Sequence, residues 1–371
     1  MSEQELNAKG KEALLNLARE LVDQDAASVL VEPQQNADGF WFGSGNIIEP
    51  EKGRYLLCGR YRNHGDSRTG IGAGARGLEF AVFEGASPTG PFRKIRSFSK
   101  RDLSQPDKPV VSIEGGKLFA GPGGLELFVS TEKGIGYPDA LASFQKPGTG
   151  VWSIDRTSAP DAAGLDSSTL TQVLSSNEGA TLHIKDPVVF ESPTGGTVLM
   201  YCSHPFSWSS SNTGLAVRAV EGDVFELKTH SVLERGATWD VACTRVTDLL
   251  AVPQVGRFAS LPPLSLYFYD GAECLRSLDE NASAVSRPRG YSCEELGGLA
   301  WGWDAAFPEM HRLSVEFPLF ISPHGTGCSR YVSTLVTAGG IMASWQQSQP
   351  DRSQPLVGNF VGSETVAGLL D

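Results

Sequence analysis

The chain has 371 residues, 40% of them hydrophobic, and a formal net charge of −12, so it can build one large core or two ordinary ones. That acidity argues against a nucleic-acid or anionic-membrane partner. No run approaches the length of a membrane span, and the N-terminal stretch lacks the basic and apolar regions of a signal peptide, so a cytoplasmic protein is expected.

The first element is a helix. Leu14, Leu17, Ala18, Leu21 and Val22 recur at helical spacing with charged residues between them, which predicts a helix over roughly residues 4–24. Its apolar stripe would either pack on the main domain or supply a homo-oligomer contact. The expected division is an N-terminal helix and lead-in over 1–30 and one catalytic domain over 31–371. The six cysteines, Cys58, Cys202, Cys243, Cys274, Cys293 and Cys328, are scattered without a CxxC pair and read as reduced, small hydrophobes.

Beyond the helix, short β-type runs alternate with Gly, Pro, Ser and Asn turns. Five stretches share one plan: "SGNIIEPEKGRYLLCGRY", "SIEGGKLFAGPGGLELFVST", "IKDPVVFESPTGGTVLMYCS", "CTRVTDLLAVPQVGRFASLPPLSLYFYD" and "SVEFPLFISPHGTGCSRYVST". Each has a polar head, a short apolar strand, a turn and a second strand. The heads are Asn46, Glu114, Asp186, Arg245 and Glu316, spaced roughly seventy residues apart. Units of that size hold a four-stranded antiparallel sheet, so the expected class is all-β, a five-bladed β-propeller with an N-terminal α-helix. A β-sandwich would also have short, Gly-bounded strands, but it does not predict this spacing.

The innermost strand of each propeller blade lines a narrowing channel, and only its end opens on a cup. One polar residue per blade at that end puts five side chains around one point. Burial and clustering there would separate carboxylate pKa values, as acid–base chemistry at neutral pH requires.

The phrase "KDPVVF", the turn "ASPTGPF" and the headed repeats resemble the five-bladed propeller glycoside hydrolases of families 43 and 32 and the mannoside phosphorylases of family 130. The resemblance implies three floor carboxylates: a blade-one aspartate as base or nucleophile, an aspartate in a "DP" phrase, and a glutamate as general acid. Asp186 matches the "DP" aspartate. The blade-one slot holds Asn46, which cannot act as a base, so either the base comes from another blade or the activity is not ordinary hydrolysis. The phosphorylases resemble this chain more closely here, with Asn at the blade-one head and a strand pair ending in arginine, "GNIIEPEKGRYLLCGRYR". Arg60 and Arg62 share one face of an extended strand, and paired guanidiniums suit phosphate or carboxylate.

The expected catalytic residues are Glu114 and Glu316 as the acid and base, roles unassigned, with Asp186 as third carboxylate. The alternative for each is a salt-bridged carboxylate that ties blades together. Asn46, Arg60, Arg62, Arg245, His204, Trp208 and His324 are the expected substrate contacts. Residues 286–310 are read as a lid or an elaborated hairpin. No metal site or cofactor is expected, and "GIGAGARG" lacks the strand–helix context of a nucleotide loop. The expected activity is exo-acting hydrolysis of a small carbohydrate, with inversion. The alternatives are phosphorolysis with arginine-bound phosphate, or sugar binding without catalysis.

Overall fold

The computed structural model describes residues 5–63, 75–121, 123–145, 149–175, 178–206, 210–220, 222–273 and 294–371. Helix α1 spans Ala8–Leu21, and Asn7 caps it by accepting from the Gly10 N–H at 2.9 Å. Four-stranded antiparallel sheets then follow one another in chain order.

Blade one contains β2 (Phe40–Gly43), β3 (Ile47–Glu51), β4 (Arg54–Asn63), β5 (Arg76–Gly85) and β6 (Arg93–Ser99), with β2 and β3 both paired to β4 as an interrupted inner strand. Blade two is β7 (Val110–Gly121), β8 (Gly124–Lys133), β9 (Val151–Ala159) and β10 (Thr171–Leu174). Blade three is β11 (Leu182–Glu191), β12 (Thr197–His204), β13 (Asn212–Arg218) and β14 (Glu226–Leu233). Blade four is β15 (Cys243–Ala251), β16 (Leu264–Ala272), β17 (Leu296–Trp303) and β18 (His311–Arg312). Blade five is β19 (Ser329–Thr337), β20 (Gly340–Gln347), β21 (Leu356–Gly362) and β1 (Ser28–Val31). The chain's first strand is thus the outer strand of its last blade. Helix α2 (Ser363–Leu369) follows directly. The fold is the expected five-bladed propeller.

The stripe of α1 does not face outward. Leu14, Leu17, Ala18 and Leu21 are fully buried in one cluster with Leu266 and Phe268 of blade four, Trp345 and Val357 of blade five, and Val366 of α2. This corrects the idea of a homo-oligomer through the apolar face of the helix, because the chain's own core covers that face. Apolar residues of adjacent blades interlock in the same way elsewhere; Trp239 stacks on Tyr269 with ring centroids 5.5 Å apart. The four described cysteines, Cys58, Cys202, Cys243 and Cys328, are buried and free. Among the described residues no helix is long and apolar enough to cross a membrane.

Every inner strand is interrupted near its head. Blade one breaks between β2 and β3, and the ladders slip between Ile113 and Gly116, Lys185 and Val188, Val246 and Asp248, and Arg330 and Ser333. Such bulges re-aim side chains and are common beside active sites. They also expose one misplaced head. The inner strand of blade five begins at Ser329, while Glu316 is exposed on the connection from β18 to β19, between exposed Val315 and Phe317. The apolar run "VEFPLF" imitates a strand, but Leu319 and Phe320 instead turn in to donate to the Gly297 carbonyl. Glu316 is therefore not a floor carboxylate.

Candidate active site: an arginine-rich cup

The five interruptions bring Ser44, Glu114, Asp186, Arg245 and Tyr331 to one end of the channel. Ser44, Asp186 and Tyr331 hold left-handed backbone angles, φ of 59°, 53° and 56°. Each such non-glycine residue costs about 1–3 kcal/mol, a strain that concentrates at functional sites. The approach between blades is close. A Cβ at Gly115 would lie 2.4 Å from Ser44 Oγ and 2.9 Å from Asp186 Oδ1, so only glycine fits there. The Gly115 N–H donates to Asp186 Oδ1 at 3.2 Å.

Ion pairs dominate the floor. Arg62 donates from Nη1 to both Glu114 oxygens, at 3.2 and 3.0 Å, and Ser112 Oγ donates to Glu114 Oε1 at 2.7 Å. Burial alone would raise the Glu114 pKa, but Arg62, Arg60, Lys185 and Arg76 together hold it well below the usual carboxylate range. Arg76 pairs with Glu132. Arg245 donates to Asp186 at 3.0 Å, to Asp270 at 2.7 Å and to Glu295 at 2.9 Å, and its guanidinium lies 4.1 Å from the centroid of the Tyr331 ring. Burial, helped by nearby Glu295, pushes the Asp270 carboxyl up to about 6 despite Arg245. Glu295 is also held by Arg330, and although it too is buried these two arginines keep its carboxyl well below the usual range.

Arg60 is the exception. It is 2% exposed, and its Nε and Nη1 have no hydrogen-bond partner among the described residues. Its guanidinium lies 5.5 Å from the Tyr331 centroid. Burial lowers its pKa, and neighbouring Arg62 and Arg330 lower it further, against the opposite pull of Tyr331 and Glu114. Beneath the ring, Lys117 Nζ donates to the Gly45 carbonyl, and a cavity of about 10 Å³ is lined by Ser44, Asp186, Arg245 and Tyr331. That volume is about one water.

Next to the floor, upstream of Asp186 on β11, a cluster of rings is buried. His183 lies 4.9 Å from Trp152, 5.2 Å from Tyr137 and 5.9 Å from His204, centroid to centroid. Burial pushes the His183 pKa down to about 3, and neighbouring Lys185 adds to the effect, so this imidazole is neutral at physiological pH.

Of the residues expected from sequence, Glu114, Asp186, Arg60, Arg62 and Arg245 meet at this floor, and buried His204 lies in the neighbouring ring cluster. Asn46 does not face the cup. Its amide donates to the Leu118 carbonyl at 2.8 Å and accepts from the Leu118 N–H at 2.9 Å, stapling blade one to blade two, and Ser44 takes the blade-one place in the ring. His324 is exposed on the turn from Ser322 to Gly327, and among the described residues no contact joins it to Asp186 or Arg245. Trp208 lies outside the described residues, as do residues 286–293 of the expected lid; the rest of that stretch is mainly β17 and its following turn. Sequence reasoning missed Tyr331, Arg330, Arg76, Glu132 and Asp270, and it placed Glu295 in the expected lid over the pocket instead of at its floor. Aligning "CTRVTD" with "CSRYVST" exposes Arg330 and Tyr331, since both phrases put an arginine and then a larger apolar or aromatic residue at the strand head.

No protein-family model matches the sequence, and no curated protein matches it. The likeness is to solved structures. An α-L-arabinofuranosidase from Lactobacillus brevis is 13% identical, with 92% of this chain and 95% of that chain covered at a TM-score of 0.58. A glycoside hydrolase is 12% identical, with 96% and 97% covered at 0.62. A β-1,2-mannobiose phosphorylase from Listeria innocua is 11% identical, with 92% and 96% covered at 0.56. At these identities the likeness is one of fold, and it extends over nearly the whole chain: a five-bladed propeller of the kind found in glycoside hydrolases and in a mannobiose phosphorylase.

Proposed function

We propose that the chain is a carbohydrate-active enzyme that cleaves a terminal glycosidic bond at the cup, and that it does so by phosphorolysis. Arg60 carries this reading. Burying an unpaired guanidinium costs several kcal/mol, roughly, and the cost is relieved when an anion arrives. Arg60 lies among further cations at the ring, so a phosphate there would meet a preformed positive site.

Phosphate supplies the nucleophile, so no carboxylate need activate water. A phosphate oxygen bonds to the anomeric carbon as the bond to the leaving oxygen breaks, and the leaving oxygen takes a proton. One displacement inverts the anomeric centre. Asp186 is the group assigned to pass on that proton, taken from the dihydrogen form of the incoming phosphate, because it stands at the head ring with one pairing cation, Arg245, whereas Glu114 is held ionised by four cations and serves to position Arg62. The buried, narrow floor favours a chain end over the middle of a polymer.

Hydrolysis is the second reading, and the ring supports it in one respect: Asp186 and Glu114 are two carboxylates at one floor, and glycosidases work with such a pair. The deciding experiment is a panel of aryl-glycosides and short oligosaccharides with and without inorganic phosphate. Phosphorolysis requires phosphate-dependent turnover with a sugar 1-phosphate as product. Phosphate-independent release of free sugar would replace it with hydrolysis, and no turnover on the panel under either condition would remove both in favour of sugar binding alone.

A further inference from the structure

Guanidiniums and aromatic rings alternate at the floor of the cup. Arg60 lies 5.5 Å from the centroid of the Tyr331 ring, and Arg245 and Arg330 lie 4.1 and 5.2 Å from the same centroid. Arg330 is also 5.5 Å from the Trp41 ring, which has Arg62 at 5.4 Å. All five distances fall within the roughly 6 Å over which the face of a ring attracts a cation.

Carboxylates are distributed unevenly among these four arginines. Arg62 holds Glu114, Arg330 holds Glu295, and Arg245 holds Asp186, Asp270 and Glu295. Among the described residues no carboxylate pairs with Arg60. Glu114 attracts it from a distance, while Arg62 and Arg330 repel it. The close neighbour that favours a charged Arg60 is therefore the Tyr331 ring.

That ring is suited to the task. Burial raises the pKa of its phenol, and although Arg245 and Arg60 pull the other way, Asp186 and Glu295 raise it further, so the side chain is neutral. A neutral ring attracts a cation through its π face, so it holds a guanidinium without cancelling the charge and without occupying the N–H donors at the edge. A carboxylate in the same place would do both. The backbone also fixes the ring. Tyr331 has a φ of 56°, sits in the bulge between Arg330 and Ser333, and donates its N–H to both oxygens of Asp270 at 3.1 Å. Strain of this kind gathers where a side chain must be aimed.

We propose that Tyr331 is the positioning residue of the cup's anion site: its ring keeps the Arg60 guanidinium buried and charged, with its N–H groups turned to an incoming phosphate. This rests on the reading of Arg60 as the phosphate anchor and explains how that anchor persists without a counter-ion. Arg245 and Arg330 touch the same ring but have carboxylates to hold them, so Arg60 is the arginine that depends on it.

Calorimetric titration with inorganic phosphate tests the proposal. The variants are Tyr331→Phe and the same phenylalanine carrying one, two or three ring fluorines, which keep the size of the ring while weakening its attraction for a cation. Tyr331→Phe should bind phosphate within about threefold of the parent, and the trifluorinated ring about tenfold more weakly than that, with the other two in order between. On an Arg60→Met background the series should be flat. In turnover the KM for phosphate should follow the series while the KM for the sugar does not. A tenfold loss in Tyr331→Phe would make the hydroxyl a direct contact and overturn the positioning role. So would a flat series with Arg60 present, or a slope that survives Arg60→Met. The slope without phosphate-dependent turnover would keep Tyr331's role and remove phosphorolysis. Phosphate-dependent turnover with a flat series would do the reverse, and a parent that binds no phosphate would remove both.

Discussion

Arg245 Nη1 stands 3.0 Å from Asp186 Oδ2, and this contact joins blade four to blade three at the floor of the cup. The same guanidinium holds Asp270 and Glu295. Replacing it by methionine leaves three buried or half-buried carboxylates short of a partner. Breaking a buried pair from one side costs about 3–5 kcal/mol. Urea denaturation of Arg245→Met should show a loss of that order, and a loss below about 1 kcal/mol would mean that the carboxylates find other partners.

Arg60→Met should behave in the opposite way. The guanidinium it removes lacks partners at Nε and Nη1, so an apolar replacement of similar length is neutral or stabilising. Thermal denaturation should give an unchanged or higher Tm, while the KM for phosphate rises at least tenfold. A lower Tm with unchanged phosphate dependence would place Arg60 among the structural ion pairs.

If Asp186 protonates the leaving oxygen, Asp186→Asn should lower kcat by about 10²–10⁴ on a substrate with a poor leaving group. The defect should shrink on a dinitrophenyl glycoside, whose leaving group needs no proton. An equal loss on both substrates would assign Asp186 to positioning.

His183 makes stability depend on acid. Its pKa falls from the ordinary 6.5 to about 3 in the folded protein, chiefly through burial. Between those values the unfolded chain binds a proton there that the folded chain does not, so stability rises with pH across that window. The contribution is complete above 6.5 and is lost progressively as pH falls towards 3. Denaturant titrations from pH 4 to 7 should show a shallower slope in His183→Gln than in the parent; parallel slopes would contradict this account.

Leu17 is fully buried beneath the propeller. Leu17→Ala should cost about 2–5 kcal/mol, as for other buried leucines. The loss should not vary with protein concentration, because the contact lies within one chain. Concentration-dependent unfolding would reopen a role for α1 between chains.

The blade count was legible because the strand–turn–strand phrase recurs five times along the chain, and Glu114, Asp186 and Arg245 do head their inner strands as that recurrence predicts. The helix was legible because Leu14, Leu17 and Leu21 fall on one face. Glu316 was misread because an apolar run crossing between blades has the composition of a strand and no local mark of where it turns. Asn46 was misread for a subtler reason: the blade-one strand breaks just before it, so a shift of two residues moves the ring position to Ser44. The ion pairs were not legible at all. Asp270 comes from a second strand and Glu295 from the start of a third, and only the closed ring sets them beside Arg245.

Among the described residues strand β1 pairs with β21 alone, so the last seam of the ring joins residues separated by most of the polypeptide. During synthesis the other sheets can assemble as their own hairpins emerge, but Ser28–Val31 must wait with an unpaired edge until Leu356–Gly362 leaves the ribosome. Contacts of such sequence separation form slowly. The cup, whose fifth side is supplied by that late blade, is therefore among the final features of the molecule to take shape, and a prematurely terminated chain would present two open sheet edges instead of a binding site.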